Sequence, residues 1–311
     1  MNLALLLLLG AIWGTSFLFI KIVVTEVGPF TLVAGRLGLA AVLMWALLRL
    51  IKVPMPRSRH RWGAYAVTGL LNGALPFYLI SWGEQYIPSG WAALLQSTTP
   101  IFTMLLAQVF TRDDRLTWRK ATGIALGFCG VGLLMWPQVR GGVVSSIWGM
   151  LAIVGSSLCY AFASIFARRR LAGQHPLTSA AGQFTMGFAY ILPLAFVMER
   201  PLQISPSNQA LGSWLALAVL GTVFAYAIYY TLLDRTSATF TTTVTYIVPI
   251  NGLILGALVL GEDLSSMVVI SLGIVLCGVL LVQHRNHRQP EGAQGSPVLA
   301  EAPHNSEGVR P

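Results

Sequence analysis

Ten long apolar stretches dominate the sequence and decide which kind of fold the chain can adopt. Each holds about 20 residues, the length that an α-helix needs to cross the hydrocarbon core of a bilayer. Only 10% of the residues are charged, against about 25% in a typical soluble domain, so the chain lacks a polar surface for water. We therefore predict an all-α integral membrane protein whose ten transmembrane helices lie roughly at 2–22, 30–50, 62–82, 91–110, 116–136, 147–167, 178–198, 211–233, 239–260 and 264–283.

The two halves of the sequence resemble each other. The segment Pro-Phe-Thr-Leu-Val-Ala-Gly-Arg at 29–36 returns as Pro-Leu-Thr-Ser-Ala-Ala-Gly-Gln at 176–183, and the match aligns Trp13 with Tyr160, Tyr78 with Tyr226, Trp82 with Tyr230 and Pro100 with Pro249. Each copy holds five helices, an odd number, so the second copy must enter the membrane inverted relative to the first. Inverted repeats of this kind are typical of secondary transporters. We predict one repeat over 1–138, an inverted repeat over 139–283 and a disordered cytoplasmic tail over 284–311.

Basic residues gather in the loops on one side of the predicted bundle. When the loops alternate between the two sides, the other side holds only Arg140 and Arg200, while Lys21 and Arg36 lie inside helices. This bias is the positive-inside signature, which predicts a multi-pass protein of the bacterial inner (plasma) membrane with both termini in the cytoplasm. We therefore expect the net charge of +9 to set the orientation of the protein in the membrane and to contact membrane lipid. We predict no nucleic-acid partner.

The cysteines, histidines and acids carry no pattern of a cofactor site. The three cysteines lie in apolar helices and the five histidines in loops or the tail, without the spacing of a metal site or a disulfide framework. We predict neither a metal nor a cofactor. No Asp, Glu or His lies near the centre of any segment, which favours a facilitator or exchanger, or coupling through a peripheral acid.

Two prolines follow polar clusters at matched positions of the repeats. Proline inside a helix removes one hydrogen bond and frees the carbonyl four residues earlier, here that of Gln96 or Thr245. In lipid, a side chain, water or substrate must satisfy the freed carbonyl. We therefore predict Pro100 and Pro249 as hinges, with a simple kink as the alternative. The neighbouring candidates for binding are Gln96, Thr99, Thr245 and Tyr246.

Aromatic residues at helical spacing are further candidates for lining a cavity. Residues four apart share one face of a helix. This spacing groups Trp13 with Phe17 and Lys21, Tyr78 with Trp82, and Tyr226 with Tyr230, and Tyr160 is the counterpart of Trp13. The alternative for these aromatic residues is core packing or anchoring at the membrane interface.

Two cations lie inside the apolar segments. Lys21 is close to the end of helix one, where a lysine can also snorkel to the interface. Arg36 lies about 10 Å into helix two at 1.5 Å per residue. A charged side chain at this depth needs a partner or a function. The sequence leaves two interpretations open: a structural pair with Glu26, Glu84 or helix-terminal carbonyls, or a docking point for an anionic group such as a carboxylate.

Glycines mark close contacts between helices. Small residues let helix backbones approach one another in lipid, and Gly123-x-x-x-Gly127 opens an aliphatic helix. Packing within one bundle is one interpretation, and a homodimer contact is the other.

These residues together resemble a known family. Ala11-Ile12-Trp13-Gly14-Thr15-Ser16-Phe17 with Lys21, then Pro29 with Arg36, Pro100 and Gly123, is similar to the EamA-type members of the drug/metabolite transporter superfamily. The resemblance covers about residues 3–283. It implies ten helices in two inverted repeats around a central cavity, and in many members export of amino acids or related metabolites. One branch exports aromatic amino acids. The second copy departs from the pattern, because Gln183 stands where the first has Arg36.

We therefore predict a secondary transporter that exports small-molecule metabolites, above all aromatic or other apolar amino acids, from the cytoplasm by alternating access. Export of hydrophobic organic cations is an alternative, since aromatic faces attract cations. Membrane-embedded lipid-modifying chemistry is another. It would depend on Asp113-Asp114 or Glu262-Asp263, and we interpret these residues as solvated acids in loops.

Overall fold

The computed structural model describes residues 1–110, 117–236 and 238–283, and ten helices of membrane-spanning length lie within these ranges. This confirms the predicted all-α fold. The predicted tail at 284–311 and the acids Asp113 and Asp114 fall outside the described residues. The spans are α1 Asn2–Val24, α2 Pro29–Leu50, α3 Arg59–Gly83, α4 Ser89–Phe110, α5 Trp118–Gly141, α6 Val144–Arg170, α7 Pro176–Glu199, α8 Asn208–Tyr229, α9 Phe240–Leu260 and α10 Ser266–Gln283.

Local sequence explains where the helices begin and end. Pro29 and Pro176 open α2 and α7, where the missing proline N–H would have no helical partner in any case. The sequence predicts that the fifth segment ends at about residue 136, whereas α5 continues through Pro137 to Gly141. The φ of proline suits a helix, and the chain leaves the helix only at Gly142, whose φ of 66° is accessible to glycine at low cost.

The two halves interlock through matching helix pairs. Helix α2 packs against α7 and α5 against α10, so equivalent helices of the two halves meet. Helix α1 packs on α8 and α9, and correspondingly α6 packs on α3 and α4. Exchanging the halves therefore maps each of these contacts onto another. A large apolar cluster and a smaller one both contain residues of the two halves.

The glycines of α5 pack against α10 of the same chain. A Cβ atom on Gly278 of α10 would lie 2.6 Å from the carbonyl oxygen of Gly123 and 2.7 Å from the nitrogen of Gly127. The two backbones therefore touch, which agrees with the packing interpretation of Gly123-x-x-x-Gly127. A homodimer remains a prediction.

Helices α3 and α8 each contain a π-helical segment at an equivalent stage of the repeat. The segments are Leu70–Ala74 and Val219–Phe224. A π-helical turn widens the helix and leaves carbonyls without their usual partners, and such turns are often found at functional sites. These segments were not among the features predicted from the sequence.

One end of the bundle, which we call the acidic end, contains the loops at 25–28, 84–88, 200–207 and 261–265. Glu199 accepts hydrogen bonds from the backbone of Phe30 and Thr31 at 2.9 and 2.7 Å, and Glu262 from that of Ser89 and Gly90 at 2.6 and 2.9 Å. Carboxylates at helix N-termini are stabilised by the helix dipole. Both acids of the second half thus hold helices of the first half.

A third acid joins the halves in the opposite direction. The backbone N–H and the hydroxyl of Ser207 donate to Glu26 at 2.6 and 2.7 Å. These hydrogen bonds, the backbone one first, lower the pKa of the Glu26 carboxyl. The acidic end is therefore closed by contacts between the two halves.

Candidate functional site

A polar cluster in the middle of the bundle forms the central site, which we define as Arg36, Asn72, Phe77, Gln183, Thr222 and Tyr226. Arg36 is only 5% exposed and reaches from α2 to the π-helical segment of α8. Its Nε donates to Thr222 Oγ1 at 3.0 Å, and its Cζ lies 3.9 Å from the centroid of the Phe77 ring. A desolvated cation over an aromatic face is stabilised by about 2 kcal/mol. Phe77 and Thr222 thus hold the guanidinium at mid-depth.

The structural partners that the sequence suggested for Arg36 are not its partners. Glu26 accepts from Ser207, and Glu84 interacts with Arg36 only through space. In the part of the chain that the structure describes, no carboxylate forms an ion pair with the guanidinium, and its two terminal nitrogens have no hydrogen-bond acceptor. A guanidinium offers five donors in a planar fork. The free side of this fork is what an anionic ligand requires.

The π-helical segment of α8 explains how Thr222 can hold Arg36. The Thr222 hydroxyl donates to the carbonyl of Leu217, five residues earlier, at 2.9 Å, and its oxygen remains an acceptor for Arg36. The segment also brings α8 close to α1, since a Cβ on Gly221 would lie 2.8 Å from Ser16 Oγ. Sequence reasoning missed Thr222. The available signal was a lone hydroxyl after a glycine in an apolar run.

We predict that Thr222→Val destabilises the folded protein by about 1–3 kcal/mol, the cost of leaving a buried polar group without its hydrogen bond. The change keeps the β-branched shape but removes the partner of both Arg36 Nε and the Leu217 carbonyl. Thermal unfolding of the purified protein measures the effect. Thr231→Val is the matched control, because Thr231 lies in Ala225–Arg235, the helical segment that continues α8, and its hydroxyl donates to the Ala227 carbonyl at 2.8 Å. Equal stabilities of the two variants would show that Thr222 does not support Arg36.

A second hydrogen-bonded group faces the same region from α3. Asn72 Nδ2, in the π-helical segment, donates to Gln183 Oε1 at 3.1 Å and to the Tyr226 hydroxyl at 3.3 Å. Gln183 is the repeat counterpart of Arg36, so the two copies present a neutral amide and a cation at equivalent positions. Asn72 was not among the predicted site residues, although an asparagine inside an apolar segment is itself a signal.

Three of the predicted aromatic residues lie together beside this group. The ring of Trp13 packs edge-on against that of Tyr226, with 6.3 Å between centroids, and lies 5.8 Å from that of Tyr229. Tyr160 and Tyr226 both lie near Arg36. All three are half-buried, whereas Phe17 is buried in the apolar core. The central site therefore combines one cation with aromatic surfaces.

The third predicted aromatic pair lies elsewhere. Tyr78 stacks on Phe30 at 4.2 Å and Trp82 packs against Tyr86 at 5.0 Å, towards the acidic end. Tyr78 comes four residues after Ala74, the last π-helical residue, whereas Tyr226 comes two residues after Phe224. Tyr78 meets Phe30 at the start of α2, whereas Tyr226 meets Phe184 further along α7, so the two tyrosines contact counterpart helices at different positions. The side chain of Tyr230 is outside the described residues.

The polar cluster before Pro100 interrupts α4. The helix runs over Ser89–Gln96, turns at Ser97 and Thr98, and resumes over Thr99–Phe110. The Gln96 carbonyl accepts from Thr99 Oγ1 at 2.8 Å and from Ser157 Oγ at 3.3 Å, so side chains replace its helical bond. Ser156 donates to Gln96 Oε1 at 2.6 Å, which ties the break to α6.

The equivalent cluster in α9 is arranged differently. The break lies at Thr243, before the helix Val244–Leu260 that contains the buried Pro249. Thr245 donates to the Thr242 carbonyl at 2.8 Å, and the Tyr246 hydroxyl donates to Gln283 of α10 at 2.5 Å. These contacts are local or peripheral, so the structure does not bring Thr245 or Tyr246 to the central site.

Lys21 joins α1 to the α3–α4 loop. Its Nζ donates to the carbonyls of Glu84 at 2.5 Å and Ile87 at 2.9 Å. It therefore lies at the acidic end, apart from the central site. Among the described residues, no group of histidine, cysteine, aspartate or glutamate is arranged to hold a metal ion.

Comparison with known proteins shows to which family the chain belongs. The model of the EamA-like transporter family matches the chain twice, at residues 1–136 and 147–283. The chain belongs to the EamA-like transporter family. The double match covers the ten helices except for the end of α5 and the start of α6, which fall in the unmatched residues 137–146. The family points to transport rather than to an enzyme, so the lipid-modifying alternative lacks support.

Relatives and a solved structure agree with this assignment. The inner membrane transporter YedA of Escherichia coli K12 is 28% identical over 94% of this chain and 93% of its own. A probable terminal-alkyne amino-acid exporter of Streptantibioticus cattleyicolor is 26% identical over 88% of this chain and 90% of its own. A solved crystal structure with 18% identity superimposes with a TM-score of 0.65 over 90% of this chain and 96% of its own, which shows a shared fold.

Proposed function

We propose that the EamA-family chain exports small metabolites that carry a carboxylate, above all apolar or aromatic amino acids. The observation that carries the proposal is the free side of the Arg36 guanidinium at mid-depth, held by Phe77 and Thr222 without an acidic partner among the described residues. A guanidinium binds a carboxylate through two parallel hydrogen bonds, and these are strong where water is scarce.

The aromatic surfaces beside Arg36 suit the other end of such a substrate. An apolar side chain can pack on Trp13, Tyr160 or Tyr226, while the carboxylate meets the guanidinium. The name of the Streptantibioticus relative, an amino-acid exporter, supports the same substrate class. The most specific version of the proposal is the export of aromatic amino acids.

Alternating access between inverted repeats is the proposed mechanism. The matching helix pairs of the two halves support a pseudo-two-fold relation, and an odd number of helices per half requires opposite orientations. The breaks in α4 and α9, near Pro100 and Pro249, are the proposed flexible points. The π-helical segments of α3 and α8 lie at the central site between them.

The proposed location is the inner membrane, with both termini in the cytoplasm. The basic loops support this orientation through the positive-inside rule, and the E. coli relative is named as an inner membrane transporter. The acidic end then faces the outside of the cell, and the closed acidic end corresponds to an inward-facing state.

Counterflow in proteoliposomes tests the substrate class. Vesicles loaded with L-phenylalanine should accumulate radiolabelled L-phenylalanine and L-leucine, and protein-free vesicles should not. Tetraphenylphosphonium should not compete, because the cation of the site repels it. Competition by this organic cation without competition by amino acids would overturn the proposal in favour of drug export.

Variants of two tryptophans test the location of the site. We expect Trp13→Ala to reduce phenylalanine counterflow about tenfold, since losing one aromatic contact and its buried area costs about 1.4 kcal/mol or more. Trp148→Ala is the control, because Trp148 is exposed on the outside of the bundle. Equal flux through both variants, at equal amounts of folded protein, would place the site elsewhere.

A further inference from the structure

The α3–α4 loop buries an acidic side chain that the central site does not use. Glu84 is 0% exposed. Neither of its carboxyl oxygens has a hydrogen-bond partner among the described residues. Buried polar groups in proteins are almost always hydrogen-bonded, so an unpaired carboxyl needs an explanation.

The surroundings of Glu84 are tightly packed. At the adjacent Gly83, a Cβ atom would lie 2.7 Å from the carbonyl oxygen of Gly149 on α6. Lys21 approaches from α1, but its Nζ donates to the backbone carbonyls of Glu84 and Ile87 and not to the carboxyl group. The nearest cation is therefore committed to other acceptors.

The charged groups that face Glu84 come from three elements. They are Lys21 on α1, Arg36 on α2 and Glu262 in the α9–α10 loop. The neighbouring parts of α4 and α6, Ser89–Gln96 and 144–158, contain no titratable side chain. Burial raises the pKa of the Glu84 carboxyl well above its ordinary range, and Glu262 adds to this, while Lys21 and Arg36 act in the opposite direction.

An ionised carboxylate in this place would carry a large energetic penalty. Moving a charge out of water without hydrogen bonds costs at least several kcal/mol, and a carboxyl group avoids the cost by taking up a proton. The geometry thus favours the neutral acid as long as the acidic end is closed. Opening of that end would let water reach the α3–α4 loop and remove the penalty.

We propose that Glu84 is a proton-binding site, which holds a proton while the acidic end is closed and releases it when that end opens. Closing then takes up one proton from the side that the acidic end faces. Since the closed state has the higher affinity for the proton, acidic conditions favour it. Its advantage falls about tenfold for each pH unit between the pKa of the open and that of the closed state. Under the proposed alternating access, this site would couple transport to a proton gradient.

Infrared difference spectroscopy on the full-length protein in lipid tests the protonated state. We expect the carbonyl-stretch band of a protonated carboxylic acid at pH 7 in the unmodified protein and its loss in Glu84→Gln. Glu26→Gln is the control at the same end. Because Glu26 accepts two hydrogen bonds from Ser207, its replacement should leave the band of Glu84 unchanged. Absence of the band from the unmodified protein, or its persistence in Glu84→Gln, would overturn the proposal.

Thiol labelling tests the link to opening. With Cys129, Cys159 and Cys277 replaced by alanine, a single Ile87→Cys residue reports access to the loop, since Ile87 is buried in the closed state. A membrane-impermeant maleimide should label it faster as pH rises from 6 to 9. The labelling rate should rise more with pH than it does in the double variant Ile87→Cys/Glu84→Gln. In both proteins the thiol itself becomes more reactive as it ionises, so the difference between them reports on Glu84.

Equal pH profiles in the two backgrounds would overturn release of the proton on opening. Both measurements work without a transported substrate. Failure of the proposed amino-acid export therefore leaves the proton site testable, and failure of the proton site leaves the flux experiments unaffected.

Discussion

Arg36→Ala should reduce amino-acid flux in proteoliposomes about 100-fold. Removing one partner of a buried, hydrogen-bonded charge pair costs about 2–5 kcal/mol, and each 1.4 kcal/mol is a factor of about ten. Arg36→Lys should lie between the alanine variant and the unmodified protein, because lysine keeps the charge but lacks the planar fork. The measurement is initial counterflow of radiolabelled L-phenylalanine at equal amounts of reconstituted protein.

The control for Arg36→Ala is Arg49→Ala, an exposed arginine at the far end of the same helix, which should leave flux unchanged. The alanine variant should still fold, because Thr222 keeps its hydrogen bond to Leu217. Thermal unfolding checks this point. Unchanged flux through a folded Arg36→Ala protein would show that Arg36 is a structural residue, the interpretation that the sequence left open.

Gly278→Val should destabilise the protein by about 3 kcal/mol or more, at the upper end of what overpacking costs. Its Cβ would lie 2.6 Å from Gly123 O, 2.7 Å from Gly127 N and 3.1 Å from Gly127 Cα. All three atoms belong to the backbone of α5, so no side chain can move aside and α5 and α10 must separate. The expected result is a lower thermal midpoint and a smaller yield of monodisperse protein in detergent.

Gly273→Val is the matched control for this prediction. Gly273 lies in the same helix, and a Cβ atom there meets nothing within 4 Å among the described residues. Both variants carry the same change in helix propensity, so their difference isolates the contact between α5 and α10. Similar midpoints for the two variants would mean that the two helices can separate at low cost.

The ten helices were predictable because the bilayer imposes them. Every backbone polar group in lipid must be paired, and a helix of about 20 apolar residues satisfies this locally. Each predicted segment therefore overlaps one helix of the structure. The errors lie at the ends. Helix α5 runs past Pro137 to Gly141, because the φ of proline is helical and its cost is one hydrogen bond, and the left-handed turn at Gly142 ends the helix.

The candidate site was predictable only in part. The depth of Arg36 follows from its position in α2, so the sequence showed that a cation lies far from water. Its partners do not follow, because Phe77 and Thr222 come from α3 and α8 and meet Arg36 only when the halves interlock. Tyr78 shows the same limit, since it stacks on Phe30 towards the acidic end while its repeat counterpart Tyr226 packs against Trp13 beside the central site.

The sequence by itself determined the number of helices, their duplication and the burial of a cation, because each of these follows from local hydrophobicity and from similarity between segments. The tertiary structure alone decided which side chains surround Arg36, which glycines bring α5 and α10 into contact and which acid is left buried without a hydrogen bond. The physical reason is that these outcomes depend on how helices are rotated and packed against one another. A shift of one residue turns a side chain by about 100°, and no local pattern of the sequence records that rotation.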